Sequence, residues 1–282
     1  MPARRKARVP KPRIALVGFG RLGGALALAF KRARVPVAVL PHSGDSVRAA
    51  VAMGVRLAET EWLARADLCF LTVPDVVIGE VAADVATLLG PECAVVHCAG
   101  AKDLGVLAPA GKRPRGSFHP LCAISARTDS LEGTSVALAG SDRKTLAALR
   151  GLVEALGLTA ITVDERHRPA YHAGAVLSAG GVVALASAAV EALGVAGIDE
   201  EEALAALLPL MKSAIAGLER RGLPDALTGP VVRGDAEALK SHLLELPKAV
   251  APLYRELMTR SLQLARGNLS PAKRREIARA LR

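Results

Sequence analysis

The sequence predicts an α/β domain followed by an all-α domain, and three observations carry that expectation. A short apolar run, Ile14 to Val17, meets the spacing Gly18-x-Gly20-x-x-Gly23, and a helical pattern follows. Apolar runs and helical patterns then alternate to about residue 164. From residue 165 the alternation stops and only helix-length patterns remain. Strands alternating with helices imply a parallel sheet covered on both faces. We therefore expect a basic tail over 1–12, an α/β domain over 13–164 and an all-helical domain over 165–282.

The first turn gives the glycines their meaning. Gly18 permits a tight turn, Gly20 lets a pyrophosphate approach the backbone, and Gly23 lets the helix pack on the strand. The N-terminus of the helix over 21–33 then faces the phosphates. This is the pattern of a Rossmann dinucleotide-binding unit, with Gly18, Phe19, Gly20, Arg21, Leu22 and Gly23 on the phosphate side. Further strands are expected at 37–40, 68–73, 94–97, 117–119, 136–139 and 159–163, and helices at 45–53, 76–89 and 142–156. A ligand should lie at the carboxyl ends of the strands. Those ends carry Pro41-His42-Ser43, Thr72-Val73-Pro74-Asp75, His97-Cys98 and His119-Pro120.

In the second half, Tyr171 to Leu193 reads as one helix with no charge between Ala173 and Val190. It is nearly long enough to span a bilayer. Its Gly, Ala and Ser content and the lack of a flanking aromatic belt favour a helix buried inside the second domain or a dimer. Three more helices are expected near 199–221, 234–245 and 248–265.

Composition bounds the function. A chain of 282 residues holds two cores, and with 51% hydrophobic but only 2% aromatic residues these should be built of Ala, Val and Leu. The net charge of +10 is crowded at Arg4–Arg13 and at Lys273–Arg282, which reads as solvated tails. With so few rings to stack on bases, a nucleic-acid partner is not expected. Cys69, Cys93, Cys98 and Cys122 form no CxxC pair and no secretory signal is apparent, which fits a reducing cytosol. At the tip of the second strand, Leu40-Pro41-His42-Ser43-Gly44, no Asp or Glu is placed to take a ribose 2′-hydroxyl. Ser43, His42, Arg48 and Arg21 could instead serve a 2′-phosphate, so NADP is expected over NAD. Ser43 and Asp45 read equally as helix caps.

Seven stretches together resemble a known family. They are Gly18-Phe-Gly-Arg-Leu-Gly23, Leu71-Thr-Val-Pro-Asp75, His97-Cys-Ala-Gly100, Ser117-Phe-His-Pro-Leu121, Tyr171-His-Ala-Gly-Ala175, Leu227-Thr-Gly-Pro-Val-Val-Arg-Gly-Asp235 and Leu269-Ser-Pro271. The chain resembles the 6-phosphogluconate dehydrogenase-like superfamily, and within it the branch in which an NADP-binding Rossmann-like domain precedes a helical domain of unknown function. Members of that branch include suggested alternative ketopantoate reductases; pyrroline-carboxylate, prephenate and deazaflavin-linked NADP reductases are relatives. The resemblance implies a homodimeric NADP(H)-dependent oxidoreductase that moves a hydride to or from a small 2-oxo or 2-hydroxy acid such as ketopantoate. It also implies that Thr72, Val73, Pro74, Asp75 and Cys98 lie along the cofactor. One departure stands out. Relatives often carry a Ser-Asn pair where this chain has Ala179-Gly180. That keeps two alternatives open: an NADP-binding protein without catalysis, or an oxidoreductase of the imine or prephenate type.

Reducing a ketone or imine requires a proton from a nearby acid. His119, at a strand end with Pro120 fixing the next turn, is the first candidate. His97 ends the preceding strand and should lie by the nicotinamide or its ribose; His172 opens the long helix. Thr228 and Arg233 are the substrate-binding candidates, with Arg233 able to clamp a carboxylate and Asp235 able to cap the next helix. Lys102 and Lys240 are further cationic candidates. His97, Cys98, His119 and Cys122 would have to converge to hold zinc, and the Rossmann context assigns that face to a nicotinamide, so no metal is expected.

Overall fold

The first half is organised on an eight-stranded sheet in the order β3-β2-β1-β4-β5-β6-β7-β8. The structure, a computed structural model, describes residues 11–282. Most of the expected basic tail therefore lies outside the described residues. β1 (Ile14–Val17), β4 (Leu68–Leu71) and β5 (Ala94–His97) are buried along their whole length. Central parallel strands are covered on both faces, which is why they read as unbroken apolar runs. β2 (Val37–Leu40), β6 (Arg115–Pro120), β7 (Ser135–Gly140) and β8 (Thr159–Thr162) complete the expected set. The two residues of β3 (Arg56–Leu57) are too few to show a pattern.

The sheet is not wholly parallel, against expectation. β7 runs antiparallel to β6, pairing His119 with Ala137. Residues 121–134 contain no helix to carry a crossover, so the chain reverses direction instead.

Helices α1 (Arg21–Arg32), α2 (Gly44–Ala52), the short α3 (Thr60–Ala64), α4 (Ile78–Ala86) and α5 (Arg143–Ala155) cover the sheet. On one face Leu26, Phe30, Leu149 and Leu152 pack on Leu16, Phe70 and Val96. On the other, Ile78, Ala82 and Val85 pack on Ala15, Leu71 and Val95. The core is not built of small aliphatics alone. Phe30, Phe70 and Phe118 meet edge to face, with centroids 5.5 and 5.4 Å apart. Phe19 joins the same cluster, so all four phenylalanines serve one face of the sheet.

The chain divides into two compact units, the first ending at Ala179 and the second running Gly180–Arg282. That boundary lies beyond the expected one at 164/165. Helix α6 (Arg168–Ser178) stays with the sheet because the Arg168 side chain is fully buried and its Nε donates to Glu165 Oε1 at 2.6 Å. The other oxygen of Glu165 accepts the backbone N–H of Leu104 at 3.0 Å, just after β5. The single helix expected over Tyr171–Leu193 is broken at Ala179 (φ −116°, ψ −81°), between α6 and α7 (Gly180–Val195). Two consecutive glycines follow the break and disfavour continuing the helix. No residue of α7 is buried, so burial inside the second domain is not what the chain provides. By length and composition alone, Glu165–Val195 is apolar enough to cross a membrane.

The second unit continues with α8 (Glu200–Arg221), α9 (Pro230–Arg233), α10 (Ala236–Glu245), α11 (Ala251–Leu264) and α12 (Pro271–Ala280). The last of these corrects the reading of a solvated basic tail. Ser270 caps α12, and Ile277, Ala280 and Leu281 are buried against Val231, Ala236 and Leu239. The charges of Lys273, Arg275 and Arg279 lie on the exposed face. Ile277→Ala should therefore cost about 2–4 kcal/mol in urea denaturation, the usual result of emptying a buried aliphatic site. Arg275→Ala should change stability by no more than about 0.5 kcal/mol.

Candidate functional site

The turn from β1 into α1 is shaped by close contacts. Gly18 has φ +90°, and a Cβ there would lie 2.8 Å from the Thr72 carbonyl oxygen. A Cβ at Gly23 would lie 2.6 Å from the Gly18 carbonyl oxygen and 2.7 Å from Thr72 Oγ1. The Thr72 hydroxyl sits 3.1 Å from the Val17 carbonyl and 3.0 Å from that of Gly18, tying the end of β4 to the turn. Gly20 differs: a Cβ there would meet nothing within 4 Å. The protein's own packing does not require this glycine, and the space beside it is open. Gly20 is also the N-cap of α1, with no side-chain hydrogen bond and no acidic residue in the first turn. Free backbone N–H groups at the positive end of a helix suit a phosphate, so these residues fit a dinucleotide.

The other expected cofactor residues fall into place around this turn unevenly. Arg21 is exposed, whereas the side chains of Phe19 and Leu22 turn into the core. His42 and Ser43 are exposed at the tip of β2, where Ser43 caps α2 by accepting from Ser46 N at 3.2 Å. Arg48 pairs with Asp45. Pro74 and Asp75 are exposed and Val73 is half-buried on the loop after β4. Asp75 does not cap α4, whose N-cap position is Val77. Cys98 is buried in the core, and burial pushes its thiol up. Arg127 was not visible in the sequence. From the loop between β6 and β7 its Nε donates to the Phe19 carbonyl at 2.7 Å, and its Cβ lies where a side chain at Gly24 would go. No local spacing marks a residue that reaches 108 positions back along the chain.

A second cluster forms where β5, β6 and α6 meet. His119 Nδ1 is 2.7 Å from the Tyr171 hydroxyl. The His119 and His172 rings are 6.0 Å apart, with Gly100 beside them: a Cβ at Gly100 would strike His172 Nδ1 and lie 2.9 Å from His119 Nε2. His97 and Ser117 are neighbours in the β5–β6 register and both are fully buried. The structure thus brings together all three expected histidines, and adds Ser117, Arg168 and Tyr171. His97 is enclosed by protein and is not open to a cleft. Burial, and after it the charge of Arg168, lowers the His97 pKa to about 4. Burial, then His172 and Arg168, lowers that of His119 to about 4.

The remaining candidates are elsewhere. Thr228 and Arg233 are exposed in the second unit, and Asp235 caps α10 by accepting from Ala238 N at 3.0 Å. Lys240 is taken up by Glu237 at 2.7 Å, while Lys102 is exposed after β5. Cys98 and Cys122 pack with Val96 and Phe118, so strand alternation turns His97 and His119 to the opposite face. Among the described residues, no group of three or more His, Cys, Asp or Glu side chains is placed to hold a metal ion.

Two family models match the chain: a Rossmann-like domain over residues 2–121 and a domain of unknown function, DUF2520, over residues 134–261. Among solved structures, a protein from Bacteroides fragilis described as a candidate NADP oxidoreductase is 22% identical, with TM-score 0.71, covering 89% of this chain and 98% of its own. A Thermotoga maritima protein is 26% identical, with TM-score 0.70 and coverage of 90% and 98%. A 1-pyrroline-5-carboxylate reductase from Streptococcus pyogenes is 18% identical, with TM-score 0.66 and coverage of 90% and 99%. No curated protein matches.

The two lowered histidines fix a pH dependence. In the native chain they stay neutral down to about pH 4, whereas in the unfolded chain they titrate near about 6.5. Between those values the unfolded state binds more protons, so stability should be level above pH 6.5 or so and fall as pH drops toward about 4. Denaturation midpoints measured across that window should show His119→Gln removing about one proton from the uptake.

Proposed function

The chain joins a Rossmann-like domain to a DUF2520 domain, and from that premise we propose that it is an NADP(H)-dependent oxidoreductase of the 6-phosphogluconate dehydrogenase-like superfamily. The observation that carries this reading is the open space at Gly20 against an uncapped, acid-free helix N-terminus. The descriptions of the Bacteroides and Streptococcus proteins support it. The α1 backbone and Arg21 would hold the diphosphate, and His42 and Ser43 a 2′-phosphate, at a strand tip without the carboxylate that selects NAD. Once bound, the nicotinamide supplies or receives the hydride.

The substrate we propose is a small 2-oxo or 2-hydroxy acid such as ketopantoate. His119 works as a neutral imidazole. With the Tyr171 hydroxyl donating to Nδ1, the ring proton rests on Nε2, where it can hydrogen-bond a substrate oxygen. In the oxidative direction the other tautomer serves: Nδ1 carries the ring proton and donates to the Tyr171 oxygen, and Nε2 is free to accept the proton. A homodimer in the cytosol is supported by exposed Val183, Leu185, Leu204, Leu208 and Ile215 on α7 and α8 and by four unpaired cysteines. We propose no membrane or nucleic-acid partner. A second reading, binding without turnover, rests on Ala179-Gly180, which offers no hydrogen-bonding side chain.

Gly20→Val should abolish NADPH binding, read by quenching or enhancement of its fluorescence, while circular dichroism stays unchanged. Wild-type chain should bind NADPH at least about tenfold tighter than NADH, a difference of about 1.4 kcal/mol; the reverse order would overturn the cofactor assignment. Against a panel of 2-oxo acids, His119→Ala should lower kcat by about 10²-fold or more with NADPH affinity retained. Turnover by wild type on no member of the panel, with NADPH bound, would favour the second reading.

A further inference from the structure

The loop between β6 and β7 carries an arginine to the glycine turn. Asp129 closes that loop on itself, accepting from Ser125 N at 2.6 Å, Ser125 Oγ at 3.0 Å and Ala126 N at 2.9 Å. The turn so formed presents the next residue, Arg127, to α1. Gly24 makes room for it: a Cβ there would lie 2.5 Å from Arg127 Cβ and 3.0 Å from its Cα. Arg127 Nε donates to the Phe19 carbonyl at 2.7 Å, and the charged carbon stands 6.0 Å over the Phe19 ring. Phe19 lies between Gly18 and Gly20, so a half-buried guanidinium is fastened to the turn itself.

What this guanidinium lacks is an anion. Nε makes its single hydrogen bond among the described residues. The carboxylate closest in sequence, Asp129, is occupied by Ser125 and Ala126. Neither Nη atom is enclosed, so a planar fork of N–H donors is left open to a ligand. Beside it are the open space at Gly20, the free N–H groups that begin α1 and a first turn without an acidic residue. Charge and N–H donors thus converge on one space from two elements. A fork of this kind matches the paired oxygens of a phosphate. The strand order indicates which phosphate. β2, whose tip carries His42 and Ser43, lies on one side of β1; β6, which leads to Arg127, lies on the other, beyond β4 and β5. Arg127 therefore comes to the turn from the side away from His42 and Ser43.

We propose that Arg127 is a binding residue for the diphosphate of the dinucleotide, its Nη groups donating to phosphate oxygens while its Nε holds the loop to Phe19. The assignment rests on the NADP reading and extends it. The phosphate site is completed by an arm from the far side of the sheet as well as by the local glycine motif. Gly24, which lies outside the Gly18-x-Gly20-x-x-Gly23 spacing, has its reason in the passage of that arm.

Titration of the full chain with NADPH and with NADH, followed by cofactor fluorescence, tests it. Arg127→Gln should weaken both dinucleotides about tenfold or more and by a similar factor, as expected for the loss of a hydrogen bond between charged groups. Arg127→Lys should recover only part of this, since it restores the charge without the fork. Salt separates a phosphate contact from a structural strut. Between about 20 mM and about 500 mM NaCl the ratio of variant to wild-type Kd should shrink, because screening weakens a charge contact. A strut would leave that ratio constant. Unchanged affinity in Arg127→Gln, a loss confined to NADPH, or a ratio indifferent to salt would each overturn the assignment. If Arg127→Gln does not fold by circular dichroism, the same titrations on Arg127→Lys decide, and wild-type affinity there overturns it. Wild type binding neither dinucleotide would overturn the NADP reading and this assignment with it. Wild-type binding that the variants leave untouched would overturn this assignment alone.

Discussion

A single buried guanidinium organises the first unit around its candidate chemistry. Arg168 is wholly removed from water, and such a charge persists only where partners compensate for its lost hydration. Glu165 supplies part of that compensation and also receives the Leu104 N–H. One carboxylate therefore fixes both the start of α6 and the turn after β5. Tyr171 and His172, one turn further along α6, come to rest beside His119 as a result. Removing Glu165 would leave the arginine uncompensated and the turn unanchored together.

The same charge shapes the histidines. Two largely buried imidazoles beside a guanidinium do not protonate near neutral pH. The positive charge of the cluster stays on the arginine, where it cannot be lost, and the rings are left as neutral hydrogen-bonding groups. His119 was expected from its strand-end position as a simple acid. Its surroundings hold it instead as a neutral ring, with Nδ1 engaged by the Tyr171 hydroxyl.

How much was legible depended on how local the cause was. β1, β4 and β5 were readable because burial on both faces demands continuous apolar sequence. The glycine turn was readable because its spacing is a steric rule, visible in the contacts of Gly18 and Gly23 with Thr72. His97, His119 and His172 were found from strand ends and a helix start. Arg127 was missed because it acts on a residue far away in sequence, and Arg168 and Ser117 because their burial is created by the folded chain and marked by no local spacing. Nothing near Arg127 foretells its bond to Phe19. In α12 the signal was present, since Ile277, Ala280 and Leu281 lie on one helical face, but a dense run of basic residues hid it. The reversal of β7 depended on a connection too short in regular structure to carry a crossover.

The break at Ala179 has a consequence for how such a chain diversifies. Tyr171 and His172 precede it, so every member of the histidine cluster travels with the sheet and with the glycine turn. The glycine turn and the histidine cluster therefore lie in one compact unit, and a change of sequence within residues 180–282 replaces no side chain of either.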